Sequence, residues 1–181
     1  MPYGQQHAPV RPGSRRLGQR PTPTGPPDRV MPDALLPAAR WVCDQITSSP
    51  LDAGLASRAA REFTGQLLRG WDLLALAEDA AVIVSELVTN ALRHGVRDLS
   101  GAAAAHVELI WWLRAAEITC MVTDPGAAPP VMAPPDPLAE TGRGLHVVDA
   151  LSGTWGWTWL GGCRKAVWAT LPVPAGCGRP A

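Results

Sequence analysis

Apolar residues recur every three or four positions through Ala80, Ile83, Val84, Leu87, Val88 and Ala91, which predicts a helix over about residues 73–93 with one face in a core. Gly95 would close it as a left-handed residue past the last turn. Upstream, Ala60, Phe63, Leu67 and Leu68 mark the inward face of a shorter helix that Asp52 or Ser57 would cap and Gly70 would end. The period then changes. Residues 106–113 and 117–123 are rich in β-branched and aromatic side chains and predict an antiparallel hairpin about Arg114-Ala115-Ala116. Two further strands are expected over 154–160 and 166–171 around Gly161-Gly162, and a short edge strand over 39–46, where Trp41, Val42 and Ile46 supply the bulk. A short helix over 142–151 opens on glycines. Helices over one face of a mixed, mostly antiparallel sheet make an α/β (α+β) two-layer sandwich.

The 181 residues divide into a Pro- and Arg-rich tail over 1–33, one domain over 34–173 and a frayed tail over 174–181. The first tail has almost nothing to bury, so disorder is expected of it. Formal net charge is zero, so no broad cationic field exists to hold nucleic acid or an anionic membrane. A phosphate ligand would have to be held by local dipoles. Cys43, Cys120, Cys163 and Cys177 are scattered without metal-ligand spacing, which fits reduced thiols and a cytoplasmic setting. No apolar run reaches the length of a membrane span. The eight tryptophans, without a basic groove beside them, read as packing rather than as base-stacking platforms.

Three short stretches carry candidate chemistry. Glu86 and Asn90 lie four residues apart on the long helix, hence about 40° apart around its axis, at the edge of the apolar stripe. A carboxylate and a carboxamide there suit one group acting on a proton and the other holding a metal ion. Asp124, in Thr123-Asp124-Pro125-Gly126, stands where a strand gives way to a loop. Its oxygens can accept from the amino group of a base, while Gly126 admits close backbone approach. Thr141-Gly142-Arg143-Gly144-Leu145 opens the next helix, where backbone N–H groups and the helix dipole favour an anion. The Pro- and Ala-rich stretch 125–140 between them is long for a connection inside a compact domain and is a candidate lid.

The ordered set of ExxxN, DxG and a glycine-opened helix resembles the nucleotide-binding boxes of the GHKL ATPase superfamily. Val84-Ser85-Glu86-Leu87-Val88-Thr89-Asn90-Ala91, Arg93-His94-Gly95, the run Gly142 to Leu151 and Trp155-Gly156 look most like its anti-sigma-factor serine/threonine kinase branch, a group of short ATP-binding regulators common in actinobacteria. The resemblance covers about residues 40–172 and implies a Bergerat-type ATP-binding fold. It further implies Glu86 as general base and Asn90 as the residue coordinating Mg²⁺. Asp124 would accept the adenine amino group beside Gly126, and Gly142 and Gly144, with the backbone of Arg143 and Leu145, would line the phosphates beneath a 127–141 lid. The cofactors implied are ATP and Mg²⁺. The partners are a STAS-type anti-anti-sigma protein, a sigma factor, or both, with a homodimer as a further family expectation. An ATP-gated binding module without phosphotransfer is the alternative, and a detached catalytic fragment of a histidine kinase is a third. His94, His106 and His146 are not taken as phosphoacceptors, because no dimerising helical hairpin precedes the domain. Two positions depart from the branch. Ala127 follows Gly126 in place of a further glycine, and Lys165 stands where many members have a hydroxyl residue beside the Val-Trp pair.

Overall fold

The computed structural model describes residues 39–43, 50–95, 106–114, 116–126, 128–132, 142–161 and 164–174. Strand β1 (Ala39–Cys43) is followed by helix α1 (Pro50–Gly70), a short 3-10 turn (Leu74–Leu76) and helix α2 (Ala77–His94). Strands β2 (Val107–Leu113) and β3 (Glu117–Asp124), helix α3 (Gly144–Leu151) and strands β4 (Thr154–Gly161) and β5 (Arg164–Pro172) complete the chain. The strands form one sheet in the order β1-β2-β3-β5-β4, with every ladder antiparallel. The expected mixed, mostly antiparallel sheet is thus wholly antiparallel among the described residues, and β1 is the edge strand that the sequence suggested. The expected tail over 1–33, most of that over 174–181, and positions 127 and 133–141 of the expected lid lie outside the described residues.

Alternation along the strands decides what faces the helices. Val107, Leu109, Trp111 and Leu113 of β2, Ile118, Cys120 and Val122 of β3, and Val167, Ala169 and Leu171 of β5 join Ile83, Val84, Leu87 and Val88 of α2 in the main core. Continuing the same period, Asp124 and Lys165 also fall on the helix side, directly opposite each other in the β3–β5 ladder. Trp111 is fully buried and its ring N–H donates to Thr64 Oγ1 of α1 at 3.2 Å, which ties helix to sheet at a polar point inside the core. A smaller cluster of Trp112, Met121, Ala166 and Trp168 occupies the other face. A Cβ at Gly156 would meet the Trp168 ring at 2.7 Å, so that indole lies across the backbone of its neighbour strand. The tryptophans of β2 and β5 are therefore packing residues, as read from the sequence, while Trp159 is exposed near the end of β4.

Several helix ends differ from expectation. Gly70 is the last helical residue of α1, and the left-handed position is taken by Asp72, with φ 58°. Its N–H bonds to Arg69 O at 3.2 Å and that of Leu73 to Leu68 O at 2.8 Å, while the buried Leu68 and Leu73 side chains close the contact. This is a Schellman stop, and Asp tolerates the conformation better than most residues. The helix also opens at Pro50 rather than at a cap supplied by Asp52 or Ser57; Ser57 instead accepts from Arg61 within the helix at 3.1 Å. Gly95 is right-handed, with φ −84°. It is glycine for space: a Cβ would collide with Asp124 Oδ1 and lie 2.5 Å from the Ala91 carbonyl.

Candidate functional site

Helix α2 sets out the site because its polar edge runs past two other elements. Glu86 and Asn90 are half-buried beside the core stripe. The start of α3 lies against them: a Cβ at Gly144 would collide with Glu86 Oε2 and stand 3.2 Å from Asn90 Nδ2. Acid and amide therefore turn toward the glycine-opened helix, and glycine is what permits the approach. Gly142 has φ 88°, a conformation that favours glycine. Helix α3 begins two residues later than expected, with Arg143 at its N-cap, whose side chain makes no cap hydrogen bond. The Leu145 side chain is buried in the core, so what this residue brings to the α3 start is its backbone. Among the described residues, the Trp155 ring N–H bonds to Asp149 Oδ1 at 2.8 Å, which ties α3 to β4.

Five residues past Asn90, about 7.5 Å by helical rise, the end of α2 at Gly95 meets the end of β3. Asp124 is buried, its Oδ1 accepting from the Gly126 amide at 2.8 Å and from the Lys165 ammonium at 2.6 Å. Lys165 Nζ also lies 3.4 Å from the Gly126 carbonyl. Gly95, Gly126, Asp124 and Lys165 form one tight knot: a Cβ at Gly126 would lie 2.5 Å from Gly95 Cα, 2.7 Å from Lys165 Nζ and 2.8 Å from Asp124 Oδ1. Gly126→Ala is expected to destabilise the fold by about 1–3 kcal/mol or more, because backbone must shift to relieve the overlap. Chemical denaturation checks this, and an unchanged midpoint contradicts it.

Arg164, on the other face, donates to Thr123 Oγ1 at 2.7 Å and lies 3.1 Å from His106 Nε2. Burial raises the Asp124 carboxyl above its ordinary value, against the downward pull of the Lys165 ammonium, the Gly126 amide and the Arg164 charge. A folded-state value above the unfolded one means that the folded chain keeps the proton longer. The group's contribution to stability is then largest below the unfolded pKa and declines as pH rises through the window up to the folded one. Denaturation midpoints of the unaltered chain and Asp124→Asn, compared across the acid range, are expected to show the unaltered chain's relative stability falling through that window. A relative stability that rises there contradicts the assignment.

The residues singled out thus line the C-terminal half of one helix: Glu86 and Asn90 face Gly144, with Gly142 and Arg143 just before it and Leu145 just after, and Asp124 and Gly126 pack against the Gly95 end. Sequence reasoning missed Lys165 as the partner of Asp124 and Gly95 as its neighbour. Their signal lay in the period of two that puts Lys165 in phase with Val167 and Ala169, and in a glycine at the foot of α2. Residues 50–168, from the start of α1 to Trp168 of β5, match the histidine kinase-like ATPase domain. The chain belongs to that family. No curated protein matches it. Membership implies ATP binding. Among the described residues, no helix is long and apolar enough to cross a membrane, and no cluster of three His, Cys, Asp or Glu residues stands ready for a metal.

Proposed function

We propose that the chain is an ATP- and Mg²⁺-dependent protein serine/threonine kinase that regulates transcription by partner switching. It would phosphorylate a STAS-type anti-anti-sigma protein, sequester a sigma factor, or both. The observation that carries this reading is the approach of Gly144 to Glu86 and Asn90, which puts a carboxylate and an amide at the opening of a helix whose N-cap side chain makes no cap hydrogen bond. Phosphoryl transfer needs little more than positioning and charge stabilisation.

In this reading the α3 N-terminus and the Gly142 and Gly144 backbone hold the phosphates, and Asp124 and Gly126 hold the base. The acceptor hydroxyl oxygen attacks the γ-phosphorus as the bond to the β–γ bridging oxygen breaks and ADP leaves, while Glu86 takes the hydroxyl proton. Asn90 would hold the magnesium ion, whose charge when bound offsets that building on the phosphate oxygens. The donor set suits a cation that keeps several waters and arrives with the nucleotide.

Incubation of the full chain with γ-labelled ATP, Mg²⁺ and STAS-domain proteins tests the proposal. Label on Ser or Thr of the partner is expected. Acid-labile phosphohistidine would instead mark a fragment of a histidine kinase, and tight ATP binding without transfer a nucleotide-gated binding module.

A further inference from the structure

The chemistry of the Asp124–Lys165 pair goes beyond the reading above, on which it rests. Lys165 is 4% exposed and Asp124 1%, and their cross-strand register holds them side by side on the helix face of the sheet. Oδ1 of Asp124 is saturated by the Lys165 ammonium and the Gly126 amide. Oδ2 has no hydrogen bond among the described residues, so one acceptor remains. Lys165 has three protons to give; one goes to Oδ1 at 2.6 Å and a second, weakly, to the Gly126 carbonyl at 3.4 Å. One donor remains. Arg164 acts on Asp124 through its charge, while its guanidinium bonds Thr123 and lies against His106 on the other face. The base corner therefore presents an acceptor and a donor together.

A carboxylate alone accepts the 6-amino group of adenine and repels a 6-oxo group, because two acceptors would face each other. A carboxylate joined to an ammonium has no such preference. With adenine, Oδ2 accepts from the 6-amino group and Lys165 donates to ring atom N1. With a 6-oxopurine, Lys165 donates to the oxo group and Oδ2 accepts from the proton on N1. We propose that Lys165 is a specificity-determining residue that relaxes base selection, so that the site takes 6-oxopurine nucleoside triphosphates as well as ATP. Burial favours this role, since a lone buried donor left without an acceptor is costly and either base supplies one.

Inosine triphosphate is the discriminating probe, because it differs from ATP only in carrying oxo for amino at position 6 and a proton on N1. Competition of ATP and inosine triphosphate against a fluorescent ATP derivative, with the full chain, reads both affinities. The unaltered chain is expected to bind the two within about tenfold of each other. Lys165→Thr removes a donor from both complexes, but with inosine triphosphate it also leaves the 6-oxo group facing the carboxylate, so the affinity for inosine triphosphate relative to ATP should fall by about tenfold or more. A preference for ATP above about a hundredfold in the unaltered chain overturns the inference and leaves the ATP site standing, and needs no substitution to be seen. An unchanged affinity for inosine triphosphate relative to ATP in a folded Lys165→Thr variant overturns Lys165 as the cause. Failure of both nucleotides to bind overturns the inference together with the nucleotide site itself.

Discussion

Replacing Glu86 with Ala is expected to reduce phosphate transfer by about 10²–10⁴-fold, the span associated with a positioned general base, while nucleotide affinity stays close to that of the unaltered chain. The separation follows from where the groups sit. Glu86 is half-buried at the edge of the α2 stripe and faces the start of α3 through the space that Gly144 leaves. The corner that the proposed function assigns to the base, Asp124, Gly126 and Lys165, lies past the C-terminal end of α2, beyond Asn90. Removing the carboxylate also opens no hole in the apolar core, since the neighbouring buried positions are Ile83, Leu87 and Val88. Glu86→Gln keeps the shape and removes the basic oxygen, so it should lose transfer as Ala does. Single-turnover transfer together with equilibrium nucleotide binding separates the two effects, and undiminished transfer in either variant would remove Glu86 from its role.

Asp124→Ala is expected to be the most damaging single change to stability, by about 3–5 kcal/mol, because it strands a buried ammonium without its partner. The side chains of Lys165 and Asp124 are only 5% and 2% exposed, so water cannot take over. For a domain of this size the loss corresponds to a fall in melting temperature on the order of 10–20 °C. The pair is a poor stabiliser compared with apolar residues of similar volume, however, and Asp124→Ala combined with Lys165→Met should recover much of what the single change loses. Reversible denaturation of the two single variants and the double variant closes the cycle. A loss below about 1 kcal/mol for Asp124→Ala would mean that Lys165 finds water or another acceptor.

How much of this could be read from the chain depends on the range of each signal. Period and composition are local, so the stripe from Ala80 to Ala91 and the strand pair around Arg114 were legible, as was the edge position of β1. Helix ends were less so. Gly70 and Gly95 have the residue type of a left-handed stop, yet Asp72 takes that conformation beside the Leu68–Leu73 contact. Gly95 is instead glycine because a strand from elsewhere in the chain brings Asp124 against it. Both outcomes depend on tertiary neighbours that no local window contains. The same holds for the site. Glu86, Asn90 and the glycines of α3 could be named from their order, whereas the pairing of Asp124 with Lys165 required the register of β3 against β5, set by residues 41 positions apart. Lys165 stood out in the sequence only as a departure from the branch it resembles.

The central claim is that the end of β3, the polar edge of α2 and the opening of α3 surround one magnesium-bound purine nucleotide. Calorimetric titration of the full chain with a non-hydrolysable ATP analogue tests it most directly, run with and without Mg²⁺ and repeated with Asn90→Ala. Saturable one-to-one binding that Mg²⁺ strengthens in the unaltered chain, and strengthens much less in Asn90→Ala, is the predicted result. No saturable heat with analogue and metal both present would contradict it.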